Sequence, residues 1–235
     1  MIADFHSHIL PGIDDGSADV AESLEMLRQE AEQGIRQVVA TPHFYARHDS
    51  PERFLEKRAH AAALLQEAAQ RHPELPEVFL GAEVYFFPGI SDSDALSRLT
   101  INQSRYLLLE MPMPPWTEAM YREIAGIYEK QGLIPIIAHV DRYIRPFRTY
   151  DIPKRLAELP VLVQANAGFF LRPGSRRMAL KLLREDRIHL LGSDCHNIST
   201  RPPNLAGAQA RIEGKLSAKA TQRICGYQDQ VLRNE

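Results

Sequence analysis

Asp4-Phe5-His6-Ser7-His8, continued by Ile9-Leu10-Pro11-Gly12-Ile13-Asp14-Asp15-Gly16, opens the chain and decides how the rest is interpreted. Residues i and i+2 of a β-strand project to the same face, so His6 and His8 can bind one metal ion from a single strand. Asp14 and Asp15 follow in a glycine-bounded loop, where one of them could reach the same ion, or where both could be solvated turn residues. The segment predicts a strand that delivers metal ligands at its carboxyl end.

Short apolar runs like this first one recur along the whole chain and alternate with helical patterns. The seven runs cover residues 2–6, 37–41, 78–82, 106–109, 134–138, 161–165 and 188–192. Helices are predicted over residues 19–33, 51–70, 117–131, 174–187, 203–213 and 217–226. This alternation is typical of βα units with a mostly parallel sheet. We expect an α/β fold, a closed or nearly closed barrel with its catalytic groups at the carboxyl ends of the strands.

Composition limits the class of protein. The chain has 235 residues, 44% of them hydrophobic and 25% charged, and no linker divides it, so we expect one domain over residues 1–235. Two cysteines are too few for a secreted disulfide framework, and the N-terminus does not resemble a signal peptide, so we expect a cytoplasmic protein. A net charge of -2 does not indicate a basic surface for binding nucleic acid. No apolar run approaches the roughly 20 residues of a membrane span.

Metal-ligand residues lie at the carboxyl ends of six of the seven predicted strands. A single strand-end histidine is more often structural, but so many at one edge indicate a metal centre. These residues are His6, His8, His43, Glu83, Glu110, His139, Asp194 and His196, and one of Asp14 and Asp15, counted here as Asp15, makes a ninth. Nine ligands suit about three divalent ions, and imidazole with carboxylate favours Mn²⁺, Fe²⁺ or Zn²⁺ over Ca²⁺ or Mg²⁺. A hydroxide bridging such ions is a nucleophile at neutral pH, which predicts hydrolysis.

Two arginines next to these ligands point to the substrate. Arg142 lies three residues after His139, and Arg201 lies five residues after His196. Each guanidinium could bind phosphate oxygens with its planar pair of donors. Three divalent ions against four carboxylates also leave about two positive charges, which suits a phosphate dianion. Phosphate is therefore a better candidate than an amide.

A second phosphatase pattern competes with this interpretation. Cys195 and Arg201 have the C-x5-R spacing of cysteine-dependent tyrosine phosphatases. That loop normally contains glycine and precedes a helix, whereas Pro202 and Pro203 follow Arg201 here. We interpret Cys195 as a small packed residue and the spacing as accidental.

Taken together, these residues resemble the PHP (polymerase and histidinol phosphatase) superfamily, and within it the CpsB/CapC-type bacterial protein tyrosine phosphatases. The resemblance is carried by residues 6–16, Thr41-Pro42-His43, Gly81-Ala82-Glu83, residues 138–142 and residues 193–203. It implies a distorted seven-stranded (β/α)7 TIM-like barrel, about three ions with Mn²⁺ as the usual metal, the nine ligands named above including Asp15 rather than Asp14, and phosphate binding by Arg142 and Arg201. It also implies a substrate, the tyrosine-rich tail of a membrane-associated bacterial tyrosine kinase that controls capsule or exopolysaccharide synthesis.

Three alternatives stay open at this point. Another PHP phosphoesterase would act on a small phosphomonoester such as histidinol phosphate, whereas an open rim around Phe44, Tyr45 and Trp116 would admit a peptide. An amidohydrolase also begins with a His-x-His strand, but it is expected to have a carboxylated lysine at the strand end where Glu110 stands. A non-catalytic regulatory module would be expected to have lost ligands. The sequence does not predict the oligomeric state.

Overall fold

The computed structural model describes residues 2–144 and 151–235. Its strands are β1 (Asp4–Ser7), β2 (Gln37–Ala40), β3 (His43–Phe44), β4 (Glu77–Leu80), β5 (Glu83–Tyr85), β6 (Tyr106–Glu110), β7 (Ile134–Ile137), β8 (Leu162–Asn166) and β9 (Leu190–Gly192). The helices are α1 (Val20–Glu32), α2 (Pro51–Ala69), α3 (Glu118–Gln131), α4 (Val140–Ile144), α5 (Asp151–Leu156), α6 (Ala167–Leu171), α7 (Arg176–Arg184), α8 (Leu205–Glu213) and α9 (Ala218–Arg233). Short 3₁₀ turns cover Ile90–Asp92, Asp94–Arg98 and Ile101–Gln103.

The strands pair in parallel throughout the described residues, in the orders β1-β2-β4 and β3-β5-β6-β7-β8-β9. All seven predicted runs form strands, but two of them are interrupted. The chain pairs again as β3 after Pro42, which has no N–H for the ladder, and as β5 after Gly81 and Ala82. Both β2 and β4 therefore continue into the second sheet.

The sheet curls until the chain after β9 lies beside β1. Asp194 N donates to His6 O at 2.8 Å, and His8 N donates to Cys195 O at 2.9 Å. Ser7 and Cys195 form a parallel bridge. The architecture is a mixed α/β fold with a curled parallel sheet, and the ligand-bearing ends of β1 and β9 are neighbours.

The core explains why the strand sequences are apolar throughout. Successive side chains of a strand face opposite ways, and in β6 they enter two different apolar clusters. Leu107 and Leu109 join the larger cluster, whereas Tyr106 and Leu108 join the smaller one. Because both faces of the sheet are covered, polar side chains are concentrated at the strand ends.

Most predicted helices are confirmed within a few residues, and the C-terminal one is longer than predicted. The prediction 217–226 ended at Gly226, yet α9 continues to Arg233. Gly226 lies inside the helix, and Ile224, Gln228 and Val231 continue its buried face. The helix ends instead at Asn234, whose φ of 59° is left-handed. The short helices α4, α5 and α6 were not predicted.

Candidate metal centre

Strand register sets the predicted ligands side by side. His43 of β3 pairs with Glu83 of β5, and Tyr85 pairs with Glu110 of β6. Glu83 is 1% exposed and lies among four imidazoles, of which that of His8 is 3.4 Å away. Its Oε2 is 3.1 Å from His6 Nε2 and 3.0 Å from His43 Nδ1, and its Oε1 is 2.8 Å from His139 Nε2. Glu83 is therefore the central carboxylate of the site.

His6 of β1 and His8, which follows the end of that strand, meet there as the sequence predicts. The Nε2 atoms of His6 and His8 are 3.2 Å apart, and both side chains are fully buried. Asp194 Oδ1 is 3.7 Å from each of these two nitrogens. Two ring nitrogens and a carboxylate oxygen thus face one point.

Three overlapping groups of potential ligand atoms result, each with its atoms within 4.8 Å of one another. They are His6, His8 and Asp194; His8, Asp15, His43 and His196; and His43, Glu83 and Glu110. His139 lies against the third group, with Nε2 3.5 Å from Glu110 Oε1. The structure therefore brings all nine predicted ligands together.

The two aspartates of the first loop have different environments. Asp14 Oδ2 is 2.7 Å from His8 Nδ1 and accepts the His43 backbone N–H at 3.0 Å. Asp14 thereby orients His8 so that Nε2 faces the site, which is the usual role of a carboxylate behind a metal-binding histidine. Asp15 is more exposed, with Oδ1 3.4 Å from His43 Nε2 and 3.6 Å from His196 Nε2. Asp15 is therefore the aspartate whose carboxylate faces the ring nitrogens of the cluster, and its role as ligand stays a prediction.

Backbone strain marks two of the strand ends. His139 has φ of 30° and Asp194 has φ of 56°, a region that residues other than glycine rarely adopt. His139 follows β7 by two residues, and Asp194 follows β9 by two residues. Such strain persists only where the surroundings hold it, and it concentrates at functional sites. Here it turns both side chains toward the shared centre.

Electrostatics of the cluster favour charged carboxylates. Burial opposes ionisation of Glu83, yet the imidazoles of His6, His139 and His43 close to its carboxylate hold its pKa well below the usual range. Burial would lower the pKa of His8, but its bonds to Asp14 and Glu83 raise it to about 10. Burial and the charge on His8 lower the pKa of His196 to about 4, so that ring is neutral. Protons thus occupy positions for which divalent cations would compete.

Unpartnered buried atoms show that the donor set fits metal ions. His43 Nδ1, Glu83 Oε2, His139 Nδ1 and His196 Nε2 are buried and make no hydrogen bond within the described part of the chain. Buried polar atoms in this condition normally cost free energy unless a ligand binds them. Imidazole nitrogens and carboxylate oxygens without thiolate are suitable ligands for Mn²⁺, Fe²⁺ and Zn²⁺.

Arg142 and Arg201 both reach the centre through Asp194. Arg142 donates to Asp194 Oδ2 at 2.6 Å, and Arg201 donates to Asp194 Oδ1 at 2.7 Å. Asn166, the polar end of β8, adds a third bond at 2.8 Å. The arginine side chains are 37% and 39% exposed, so their other N–H groups remain accessible to a ligand. Both arginines therefore lie beside the ligand cluster, and phosphate binding by them stays a prediction.

Two supporting residues were missed by the sequence analysis. Gln164 is fully buried in β8, where its Oε1 accepts the His139 backbone N–H and lies 3.4 Å from His6 Nδ1. Asn197 Oδ1 accepts the backbone N–H groups of Thr200 and Arg201, and this turn brings Arg201 back to Asp194. A glutamine within an apolar strand was the only signal for the first of these, and the second had none.

Cys195 is not accessible to a substrate. Its side chain is fully buried, and burial, with Asp4 and Glu30 nearby, raises the pKa of its thiol well above the usual value. Asp4 Oδ1 accepts the backbone N–H groups of His6 at 3.0 Å and Ser193 at 2.9 Å. Burial raises the pKa of both Asp4 and Glu30, which favours one proton shared by this carboxyl pair. The structure supports the packed role of Cys195.

The predicted aromatic rim is wrong for two of its three members. Phe44 is 2% exposed and Trp116 is 9% exposed, because both belong to the apolar core. Tyr45 alone borders the site, with its ring centroid 5.1 Å from that of His43. His189 directly precedes β9, at the end of the strand opposite Asp194 and His196, and Val163 N donates to its Nδ1.

Known proteins resemble this chain over nearly its whole length. The family model described as "Capsular polysaccharide synthesis, CpsB/CapC" matches residues 2–232. The tyrosine-protein phosphatase YwqE of Bacillus subtilis is 30% identical, with 99% of this chain and 92% of that protein aligned. The tyrosine-protein phosphatase CpsB of Streptococcus pneumoniae is 29% identical, with coverages of 94% and 93%.

Solved structures agree with the sequence relatives. The crystal structure reported for YwqE from Bacillus subtilis and CpsB from Streptococcus pneumoniae, "unique metal-dependent tyrosine phosphatases", superposes with a TM-score of 0.88 at 27% identity. That match covers 100% of this chain and 95% of the other. An L-hydantoinase from Arthrobacter aurescens superposes with a TM-score of 0.58 at 12% identity, which indicates a shared fold alone.

None of the helices in the described residues is long and apolar enough to cross a membrane.

Proposed function

Because the chain belongs to the CpsB/CapC family of capsular polysaccharide synthesis proteins, we propose that it is a metal-dependent protein-tyrosine phosphatase. One observation carries the proposal: nine potential ligands converge at one edge of the sheet, with two arginines on the carboxylate of Asp194. The related YwqE and CpsB proteins are named tyrosine-protein phosphatases. We further propose a single cytoplasmic domain over residues 1–235 with a distorted seven-stranded (β/α)7 barrel.

The three ligand groups would each hold one divalent ion, with Mn²⁺ as the expected metal. His8 is common to the first two groups and His43 to the second and third, and each ring would ligate one ion. His139 would complete the third group beside Glu83 and Glu110. When bound, such ions supply an activated water at neutral pH and positive charge for the phosphoryl oxygens.

The protein's own side chains bind and orient the phosphate. Arg142 and Arg201 are held by Asp194, and each retains N–H donors for phosphoryl oxygens. Their positive charge stabilises the charge that develops on those oxygens in the transition state. Asp14 keeps His8 in one orientation through Nδ1, and Gln164 supports His6 and His139.

The leaving group favours phosphotyrosine as substrate. A phenol has a pKa of about 10, far below that of an alkyl alcohol. A phenolate can therefore leave with less protonation of its oxygen than an alkoxide requires. The proposed substrate is a phosphotyrosine protein, namely the tyrosine-rich tail of a membrane-associated bacterial tyrosine kinase that controls capsule or exopolysaccharide synthesis. Tyr45 at the edge of the site offers a surface on which a tyrosine ring can pack.

Substrate choice is tested by comparing turnover of a phosphotyrosyl peptide with that of histidinol phosphate. We expect a higher kcat/KM for the peptide; preference for histidinol phosphate would make the chain a small-molecule phosphoesterase. If the metal-loaded protein hydrolysed no phosphoester, a non-catalytic regulatory module would be the remaining interpretation of the chain.

The role of Arg201 is tested separately. Arg201→Ala should lower kcat/KM by about 100-fold while metal content is unchanged, since a transition-state donor is lost. Arg211→Ala, on the exposed face of α8, is the matched control. Unchanged activity in Arg201→Ala would remove this residue from the phosphate site.

A further inference from the structure

A cleft of about 240 Å³ opens beside Asp194 and extends beyond the two phosphate-binding arginines. Its walls include Arg142, Asn166, Gly168, Arg172 and Arg201. The volume is close to the lower limit of about 300 Å³ for small-molecule sites. The cleft therefore has a third arginine, Arg172, for which the proposed chemistry gives no role.

Arg172 is held in place by its backbone while its charge stays free. Its N–H donates to Gly168 O at 3.1 Å, and its carbonyl accepts the N–H groups of Ser175 and Arg176. The guanidinium lies against Gly168, where an added Cβ would be 3.7 Å from its nearest nitrogen. Within residues 2–144 and 151–235, that guanidinium makes no hydrogen bond or ion pair.

Charge in the cleft is unbalanced on the side of Arg172. Asp194 already binds Arg142 and Arg201. Asp141, the other acid of the cleft, accepts the Asn166 backbone N–H at 3.0 Å. Neither acid pairs with Arg172, so a negative group entering the cleft from solvent would find an unneutralised guanidinium.

We propose that Arg172 binds a second anionic group of the substrate, a negatively charged side chain one or two residues from the phosphotyrosine. The inference rests on the proposed function, because it takes the phosphoryl group to lie at Arg142 and Arg201. Neighbouring Cα atoms are about 3.8 Å apart, so an adjacent side chain reaches the same cleft. A carboxylate and a second phosphate share the oxygens that a guanidinium binds through paired hydrogen bonds.

Phosphotyrosyl peptides that differ at one position test the proposal. The neighbouring residue is glutamate, a second phosphotyrosine or glutamine, and kcat/KM is measured for the metal-loaded protein. We expect the wild type to prefer both anionic peptides over the glutamine peptide by about three- to tenfold, as for a partly exposed charge pair. A larger preference for the doubly phosphorylated peptide would identify phosphate as the group bound, and equal preferences would identify a carboxylate as sufficient.

Arg172→Ala should abolish that preference, mainly through KM for the anionic peptides, because the contact is made equally in ground and transition states. Arg172→Lys should retain part of it. Arg177→Ala removes an exposed arginine of α7 that does not line the cleft, and it should keep the wild-type ratio. The preference should also weaken as salt is raised.

Three results would overturn the inference. A wild type without preference, or an Arg172→Ala variant that keeps the preference, would remove Arg172 from substrate binding while leaving the phosphatase proposal intact. An equal loss on all three peptides would assign Arg172 to the phosphoryl group or to the fold. No hydrolysis of any phosphotyrosyl peptide by the wild type would overturn the proposed function and the inference with it.

Discussion

Gly192→Ala tests whether the close approach of β9 to β1 holds the histidine ligands in place. Gly192 ends β9, where a Cβ would lie 2.5 Å from His6 Cβ and 2.8 Å from Gln164 Nε2. Nonbonded carbons prefer about 3.5 Å or more, so His6 or β9 must move by about 1 Å. Overpacking of this kind costs about 1–3 kcal/mol of unfolding free energy. For a chain of this size the expected drop in Tm is about 2–12 °C.

The same displacement should weaken the metal centre more than it weakens the fold. A shift of about 1 Å at His6 moves a proposed ligand out of position, and misplacement of that size can cost about 100-fold in rate. We expect Gly192→Ala to bind less metal and to hydrolyse a phosphotyrosyl peptide at least tenfold more slowly. Metal content by elemental analysis, Tm by calorimetry and turnover are measured on the same preparation.

Gly226→Ala is the matched control, because this glycine lies inside α9 with no neighbour within 4 Å of an added Cβ. It should raise stability by about 0.4–1 kcal/mol without changing metal content. If Gly192→Ala instead kept the wild-type Tm, metal content and turnover, the packing of β9 against His6 would not be what positions the ligands.

Three further predictions concern buried groups. Cys195→Ala should keep metal content and peptide hydrolysis, whereas a nucleophilic Cys195 would make this variant inactive. Glu30→Gln should keep near wild-type stability in chemical denaturation, because its amide can donate to Asp4. Glu30→Leu should lose about 1–3 kcal/mol of unfolding free energy. Equal losses in the two variants would rule out the shared proton. Burial lowers the pKa of His189 from 6.5 to about 4, so its protonation favours the unfolded chain. The free energy of unfolding should fall by up to about 3 kcal/mol as pH drops from 6.5 to 4, and His189→Gln should flatten that fall relative to wild type and to the exposed control His60→Gln.

The ligand set could be predicted from sequence because parallel strands end at one edge. His43 and Glu83 are 40 residues apart in the chain, yet strand pairing alone makes them neighbours. The same rule accounts for Glu110 and His139. Strand ends are local features of a sequence, and the topology of parallel βα units converts them into a site.

Features that depend on contacts between loops could not be predicted in this way. The residues by themselves left Asp14 and Asp15 open, and only the family resemblance favoured Asp15. The support that Asp14 gives to His8 depends on the path of one loop around Gly16. The turn built by Asn197 determines where Arg201 lies. Phe44 and Trp116 stand close in sequence to predicted strand ends, so they were expected at the rim of the site. Packing against the apolar core buries both side chains.

The prediction of a helix end was wrong where a local sequence signal competed with packing. Gly226 is a common residue at a helix terminus, and the prediction ended there. The buried positions Gln228 and Val231 extend the contact of α9 with the sheet, and that contact outweighs the low helix propensity of one glycine. The end of β2 before Pro42 could be predicted, because proline has no N–H for the ladder. The second strand segment, β3, could not be predicted from the sequence.

The central claim is that bound divalent ions make this site a phosphotyrosine phosphatase. The most direct measurement is a chelator titration in which metal content and hydrolysis of a phosphotyrosyl peptide are followed together. We predict about three ions per chain, loss of turnover in proportion to metal removal, and recovery when Mn²⁺ is restored. Full hydrolysis by protein stripped of metal would contradict the account.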